Sequence, residues 1–364
     1  MMKILIILTN GFDPDLRTYK EAKYLVNKGY DVEILAWDRE SRHTNNPEEI
    51  IDGIKVKRFF TPSKYGSGIK QVVPMLKFML ECKEHIKNNP DIKYCHCADL
   101  DGMVTGYLAC NKNIKLVFDM REFYESGNLS KIKYIVRYLV KFMQSKCYKV
   151  IYLNDLQKSY VTKSNTSKLV YLPNYPEGDK FKNIEKVKSE KIRISFIGYV
   201  RHYEPLKALI EVAGNNEKFE VYIHGKGVYY KSILNLSKAY NNCFVTGEFN
   251  HDDIIKLYNN TDILYCVYNV EDRNDKNAYP TKFFESIITD TPIIVAENTV
   301  IGDYCIKNNI GFTVSKAYKN DLLKILNIIS TNDKVINEMI NNIKILEEKP
   351  IWEQVVNNLD EIYK

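Results

Sequence analysis

Nowhere in the 364 residues is there an uncharged apolar run near the roughly 18 residues that would read as a membrane-spanning helix. The eight cysteines never fall at Cys-x-x-Cys spacing, so neither a zinc ribbon nor a thioredoxin-like pair is indicated. Cys95-His96-Cys97 is their one cluster. On a strand, neighbouring side chains point to opposite faces, so these three cannot converge on one ion, and core packing is expected. Thiols scattered through apolar runs suit a reducing compartment.

The glycine-rich phosphate signatures are missing as well. The first strand-to-helix turn reads Thr9-Asn10-Gly11-Phe12-Asp13-Pro14-Asp15, without G-x-G-x-x-G, which disfavours a nicotinamide enzyme. There is no P-loop, low-complexity tract or short-period repeat. The opening Met1–Leu8 is apolar but runs into Thr9-Asn10-Gly11 with no small-residue cleavage site, so it is expected to be the buried first strand of a cytoplasmic protein.

Positive charge is unevenly placed. Residues 1–176 hold 28 Lys/Arg against 19 Asp/Glu, a net +9, whereas residues 177–364 hold 24 against 27, a net −3. Such an excess suits an anionic membrane surface or phosphorylated substrates; no nucleic-acid motif accompanies it.

What is present is a regular alternation of short β-rich runs and helical-period segments, the pattern of βα units around parallel sheets. In the first half, strands are expected near 2–8, 31–36, 54–59, 92–97, 114–118, 149–153 and 168–172. A helix over 14–28 has Leu16, Tyr19, Ala22 and Leu25-Val26 on one face and stops at Gly29. Pro173-Asn174-Tyr175-Pro176 and the charged stretch after it mark a boundary, giving domains over 1–176 and 191–349 with a linker at 177–190. The second series of strands falls near 192–197, 219–223, 243–245, 262–266, 292–295 and 311–313. Residues 350–364 form an amphipathic pattern, with Trp352, Val355-Val356, Leu359 and Ile362-Tyr363 on one side. This predicts a terminal helix, docked on its own domain or crossing back to the first.

In sheets of this kind ligands sit at the carboxyl ends of the strands. The most suggestive segment there is Asn277 to Val295. Pro280 suits a helix start, Lys282 and Glu285 lie within one turn, and Phe283-Phe284 and Ile287-Ile288 would anchor the helix on the sheet. A helix start is a ready anion site; the plain alternative is an exposed i,i+3 ion pair.

The Asn277–Val295 segment resembles the donor-binding region of GT-B fold glycosyltransferases of family 4, with their Pro-x-Lys-x-x-Glu…Pro-(Ile/Val)-(Ile/Val) pattern. FIGYVRHYEPLKALIEVA (196–213) is similar to their Gly-x-x-Arg…Lys turn, FEVYIHGKG (219–227) to a strand ending in a glycine turn, and VTGEFNHDDIIKLYNNTDILYC (245–266) to the stretch bordering the nucleotide base. In the first half, DPDLRTYKEAKYLVNKGYDVEILA (13–36), VFDMREFY (117–124) and LPNYP (172–176) resemble the family's opening, its Asp-x-His-Glu turn and its Pro-Asn junction. Order and spacing follow the family over nearly the whole chain.

The resemblance implies an α/β GT-B fold of two Rossmann-like βαβ domains facing across a cleft. It implies retaining transfer of a sugar from a nucleotide-sugar, UDP- or GDP-linked, to a hydroxyl of a saccharide or lipid-linked acceptor in cell-surface polysaccharide or glycolipid assembly. No separate cofactor or metal is then expected. The catalytic positions are Arg201, Lys207, Asn277 and Arg121. Donor-binding positions are Gly198, Gly225, Gly247, Glu248, Phe249, Tyr279, Pro280, Thr281, Lys282 and Glu285, with Glu285 toward the ribose. Acceptor-binding positions are Asn10, Gly11, Asp15, Arg17 and Glu122.

Two positions depart from the family. Asn277 stands eight before Glu285, where a second glutamate is usual, and Arg121 replaces the histidine beside Glu122. Glu271 and Asp272 could substitute for the first; an ion pair of Arg121 with Glu122 or Glu125 is the structural alternative for the second. These departures also fit a silent nucleotide-sugar sensor or partner subunit, and an epimerase of the same fold is the remaining alternative. Asp99-Leu100-Asp101, at a strand end, suits a helix cap.

Residues 128–150 carry six Lys/Arg and no acid. Ile132, Ile135-Val136, Leu139-Val140, Met143 and Cys147 share a helical face beside Lys133, Arg137 and Lys141. The segment is either a crossover helix packed on the sheet or a peripheral anchor on the inner face of the membrane. Lysines in 61–88 would add to that surface.

Overall fold

The computed structural model describes residues 1–13, 15–64, 68–125, 127–271, 273–332 and 334–364. They form two compact units: Met1–Asn174 with Val355–Lys364, and Tyr175–Gln354.

The first unit has eight strands, β1 (Lys3–Leu8), β2 (Asp31–Trp37), β3 (Glu48–Ile51), β4 (Ile54–Phe59), β5 (Ile92–Ala98), β6 (Lys115–Asp119), β7 (Lys149–Tyr152) and β8 (Leu169–Tyr171). Their order is β3-β4-β2-β1-β5-β6-β7-β8, and only the β3–β4 pair is antiparallel. Every residue of β1 is buried, as an apolar strand covered on both faces requires. The sheet reverses its winding between β1 and β5, so the loops after these two strands flank the switch point.

β3 is absent from the expected strands. It forms through a hairpin at Asp52-Gly53, both at positive φ (49° and 82°), as a two-residue turn of this kind demands. The Asp-Gly pair between Glu-Glu-Ile-Ile and Ile-Lys-Val-Lys was the available signal.

The Asp99–Ala109 helix lies unusually close to the sheet. A Cβ on Gly106 would be 2.4 Å from Cys97 Sγ, and one on Gly102 would be 3.1 Å from the Ile7 carbonyl oxygen. That approach fixes where the helix begins. Cys95 and Cys97 share a face, 3.7 Å apart through sulfur, in the apolar core, while His96 points the other way.

The expected terminal helix is instead two 3₁₀ segments, Trp352–Gln354 and Val356–Glu361. Val355-Val356 and Asn357-Asn358 are poor helix formers. Three residues per turn also brings Val356, Leu359 and Ile362 onto one buried face. Tyr24 Oη donates to Asp360 (3.0 Å), Asn358 donates to the Tyr171 carbonyl (2.8 Å), and Tyr363 is buried against His96 (2.7 Å).

The second unit has a parallel sheet of β9 (Ile192–Ile197), β10 (Phe219–His224), β11 (Cys243–Gly247), β12 (Ile263–Cys266), β13 (Ile293–Ala296) and β14 (Gly311–Val314), in the order β11-β10-β9-β12-β13-β14. Its switch point lies between β9 and β12. Residues 177–190, expected to be a linker, pack on this unit. Phe181 is buried against Tyr258, and Lys186 Nζ donates to the Tyr258 and Thr261 carbonyls, both at 2.9 Å. Burial lowers the Lys186 pKa to about 8.

Candidate active site

At the carboxyl ends of β9, β10 and β11 the backbone closes into a glycine floor. Gly198 N–H donates to the His224 carbonyl at 2.8 Å, and Gly225 N–H to the Gly247 carbonyl at 2.6 Å. Gly225 (φ 134°) has no room for a side chain, because a Cβ would sit 1.9 Å from the Gly198 oxygen. Gly198 is held to glycine by its backbone (φ 141°), and a Cβ there would point at Lys282 Nζ, 2.5 Å away.

Lys282 therefore projects from the first turn of the Thr281–Ile288 helix across to the end of β9. Its ammonium lies 4.4 Å from the centre of the Phe196 ring and 5.6 Å from that of Tyr268. The Arg201 guanidinium is 5.2 Å from the same Tyr268 ring. Two cations thus share one aromatic residue, and burial, with help from Arg201, holds the Lys282 pKa below the ordinary lysine value. Pro280, as N-cap, has no side-chain acceptor, so the positive end of that helix faces the same place. Two cations and a helix start gathered in this way have the chemistry to hold an anion, with Asp275 as Arg201's present partner at 3.1 Å.

Glu285, one turn along, is buried, and Tyr258 Oη donates to its Oε2 at 2.8 Å. The exposed ion pair with Lys282 is therefore not what forms. Tyr279 stacks on Phe284 with ring centres 5.8 Å apart, and Phe249 is half-buried against the same apolar cluster. Glu248 is exposed and paired with Lys226.

Three other positions stand apart from this cluster. Lys207 lies over Tyr203 and lines a hollow with Glu204, Glu211, Lys316, Tyr318 and Lys319. The cation that shares Tyr268 with Arg201 is Lys282. Asn277 donates its amide to the Arg273 carbonyl of its own short helix at 2.9 Å. Glu271, offered as a substitute carboxylate, is exposed and paired with Lys316, and Asp272 lies outside the described residues. Tyr268 also lines a larger hollow of about 700 Å³ at the ends of β12, β13 and β14, with Lys276, Glu297 and Ser315.

In the first unit two of the expected acceptor residues, Asp15 and Arg17, join a charge network with Glu21, Asp119 and Arg121. Arg17 grips Asp119 with two N–H groups (3.1 and 2.8 Å), pairs with Glu21 (3.1 Å) and donates to the Leu172 carbonyl (3.0 Å). It is buried and acts as a strut of the fold. Arg121 is likewise spent on Asp119 (2.6 Å), Asp15 (3.0 Å) and Thr18 (2.8 Å). Its partners are thus not Glu122, which is exposed, nor Glu125, which pairs with Arg137. Asp15 caps the Leu16–Asn27 helix and accepts from Asn10 at 3.0 Å. Gly11 abuts Asp38 and its carbonyl accepts from Arg58.

Three carboxylates, Asp15, Glu21 and Asp119, face two guanidinium groups in this network, which leaves one excess negative charge. Burial raises the Asp119 pKa, but Arg17 and Arg121 outweigh it and hold the carboxyl well below the usual range. Burial dominates at Glu21 and raises its pKa, which disfavours a further buried charge at that position. Glu21, His96 and Asp119 form the one trio among the described residues close enough to hold a metal. Two arginines already fill Asp119's oxygens, so a proton suits the site better than an ion.

Residues 178–346 match the family model described as Glycosyl transferases group 1. The second unit carries a glycosyltransferase domain. The fold is GT-B, and solved structures share it over nearly the whole chain. Sucrose-phosphate synthase from Thermosynechococcus elongatus is 11% identical (TM-score 0.76; 99% of this chain and 98% of that one covered). HepE of Anabaena, solved with UDP and glucose, is 12% identical (TM-score 0.66; 100% and 99%). WaaG, a glycosyltransferase involved in lipopolysaccharide biosynthesis, is 13% identical (TM-score 0.66; 97% and 98%). No curated protein matches the chain by sequence.

Within this glycosyltransferase domain, sequence reasoning missed Tyr268, Tyr258 and Asp275. Tyr268 follows the end of β12 by two residues, where strand-end reasoning would look; Tyr258 and Asp275 act through partners that spacing does not reveal.

Proposed function

We propose that the protein is a retaining glycosyltransferase of the family 4 type, moving a sugar from a UDP- or GDP-sugar to a hydroxyl of a saccharide or lipid-linked acceptor. Its place would be in cell-surface polysaccharide or glycolipid assembly. The observation that carries this is the pairing of Lys282 and Arg201 over Tyr268, above a glycine floor and one turn from buried Glu285.

Cleaving the anomeric bond leaves negative charge on the departing diphosphate. Cations already in place stabilise that charge without reorganising, so they act on the transition state more than on the ground state. Glu285, held by Tyr258, accepts from the ribose hydroxyls. HepE, with UDP and glucose, supports a uridine nucleotide. The test is mass-detected turnover of a nucleotide-sugar panel, alone and with saccharide or lipid-linked acceptors. Transfer or donor hydrolysis that Glu285→Ala abolishes is expected; epimerisation would replace the reading.

A second reading rests on a specific observation. Of the two departures from the family, Arg121 is spent on Asp119 and Asp15 within the fold, and Asn277 donates its amide to its own helix. Donor binding without turnover would make the protein a nucleotide-sugar sensor or partner subunit.

Peripheral membrane binding belongs to the same proposal. No helix of the described residues is long and apolar enough to cross a membrane. In the Lys133–Lys146 helix, Val136, Val140 and Met143 face the core, while Tyr134, Ile135 and Tyr138 are exposed beside Lys133 and Lys141. Val73, Leu76 and Leu80 are exposed on Val72–Lys87, beside Lys77. Sedimentation with anionic vesicles at low salt is expected to capture the protein, and Ile135→Glu/Tyr138→Glu to release it. Equal recovery with neutral vesicles would remove the electrostatic part.

A further inference from the structure

Asp99, expected to suit a helix cap, does not cap: the N-cap is Ala98 and no side chain makes a capping hydrogen bond. It directly follows β5, at the switch point of the first sheet, and begins the Asp99–Ala109 helix. Its φ is +62°, in the left-handed region that L-residues seldom occupy, and aspartate is among the few side chains that tolerate it. The close packing of Gly102 and Gly106 on the sheet fixes that helix, so the strained residue cannot relax by sliding outward. Such strain persists where the surroundings over-determine it, and it gathers at functional sites.

The carboxyl is aimed as well as strained. Tyr124 Oη donates to its Oδ1 at 3.0 Å, and the side chain is half-buried, within reach of solvent. Around it the loops after four neighbouring strands converge. Asp38 and Arg39 follow β2, and Gly11, after β1, abuts Asp38. Arg39 pairs with Asp101 of Asp99's own helix at 3.6 Å, and the loop after β6 brings Asp119, Arg121, Glu122 and Tyr124. The guanidinium groups beside Asp99 are already engaged, so one oxygen of an aligned carboxylate is left toward solvent at the mouth of the sheet.

We propose that Asp99 recognises the acceptor of the glycosyltransferase reaction by accepting a hydrogen bond from a sugar hydroxyl, with Tyr124 as the residue that positions it. The inference rests on the glycosyltransferase reading. Burial raises the Asp99 carboxyl pKa to about 7, with Glu122 and Asp119 adding to the rise and Arg121 and Tyr124 opposing it. The ionised form accepts at both oxygens with charge assistance, and protonation turns one oxygen into a donor, so acceptor recognition weakens as pH falls through that value.

The test compares wild type with Asp99→Asn, which tolerates positive φ and keeps the Tyr124 contact, and with Tyr124→Phe. Asp99→Asn is expected to raise acceptor KM about tenfold to hundredfold, as loss of a charge-assisted hydrogen bond does. Nucleotide-sugar affinity should equal wild type, and the acidic limb of kcat/KM for the acceptor should vanish. Tyr124→Phe should move that limb to higher pH, because the lost hydrogen bond favoured the ionised carboxyl; a merely structural tyrosine would leave it in place. An unchanged acceptor KM and pH profile in Asp99→Asn, with donor turnover intact, overturns the inference and leaves the glycosyltransferase reading standing. Failure of wild type to turn over any nucleotide-sugar overturns both.

Discussion

Lys282→Met is expected to reduce kcat for sugar transfer about 10²–10³-fold, the cost of removing one preorganised group from developing negative charge. Methionine keeps the apolar stem over Phe196 and Tyr268 and removes only the ammonium. Because burial already disfavours that charge, the variant should melt no lower than wild type. Loss of activity with retained stability separates a role at the diphosphate from a role in folding. Lys207→Ala is the counterpart. If the hollow it lines is separate from the donor site, it should cost less than about threefold. Steady-state kinetics over donor concentration read both. A Lys207→Ala loss as large as that of Lys282→Met would return the second cation to the position the sequence suggested.

Asp119→Ala should be the most destabilising single substitution in the first unit, by about 3–5 kcal/mol in urea unfolding, because it strands Arg17 and Arg121 without their shared carboxylate. Glu21→Gln should differ from wild type by about 1 kcal/mol or less, since burial already disfavours the ionised carboxyl there. The pH dependences have opposite signs. Asp119 is depressed in the folded protein, so its contribution is present above the unfolded carboxyl value and is lost as pH falls toward the folded one. Glu21 is raised, so its contribution is full at acidic pH and declines as pH rises from the unfolded value through the folded one. Glu21→Gln should abolish that decline. Urea midpoints from pH 4 to 8 measure both.

How far the sequence could be read depended on the range of the forces involved. Thirteen of the fourteen strands were legible, because a strand covered on both faces reads as an unbroken apolar run, as in β1, and one with an open face reads as an alternation, as in β4. The exception, β3, is a short edge strand whose mark was its Asp-Gly turn. Lys282 and Glu285 were legible because one helical turn fixes their spacing, although the spacing alone also fitted an exposed ion pair. Burial of Glu285 against Tyr258, 27 positions away, decided between the two.

The partners of Arg17 and Arg121 lie beyond the reach of spacing for the same reason. The Arg17–Glu21 spacing is local, but the carboxylate that fixes Arg17 is Asp119, 102 positions on. Lys207 differs again: its place after Arg201 fits the pattern, and it lies over Tyr203 beside a hollow that shares Lys316, Ala317 and Tyr318 with the one Tyr268 lines. The terminal segment shows propensity and docking together selecting a tighter helix than the amphipathic pattern suggested.

The central claim is that the second unit holds a nucleoside diphosphate sugar through Arg201, Lys282 and Glu285. Calorimetric titration of UDP- and GDP-sugars into wild type and Glu285→Gln tests it most directly. At least one donor should bind wild type, and the variant should bind it about tenfold or more weakly, as loss of a charge-assisted hydrogen bond requires. Binding that the variant leaves unchanged, or no binding anywhere in the panel, would contradict it.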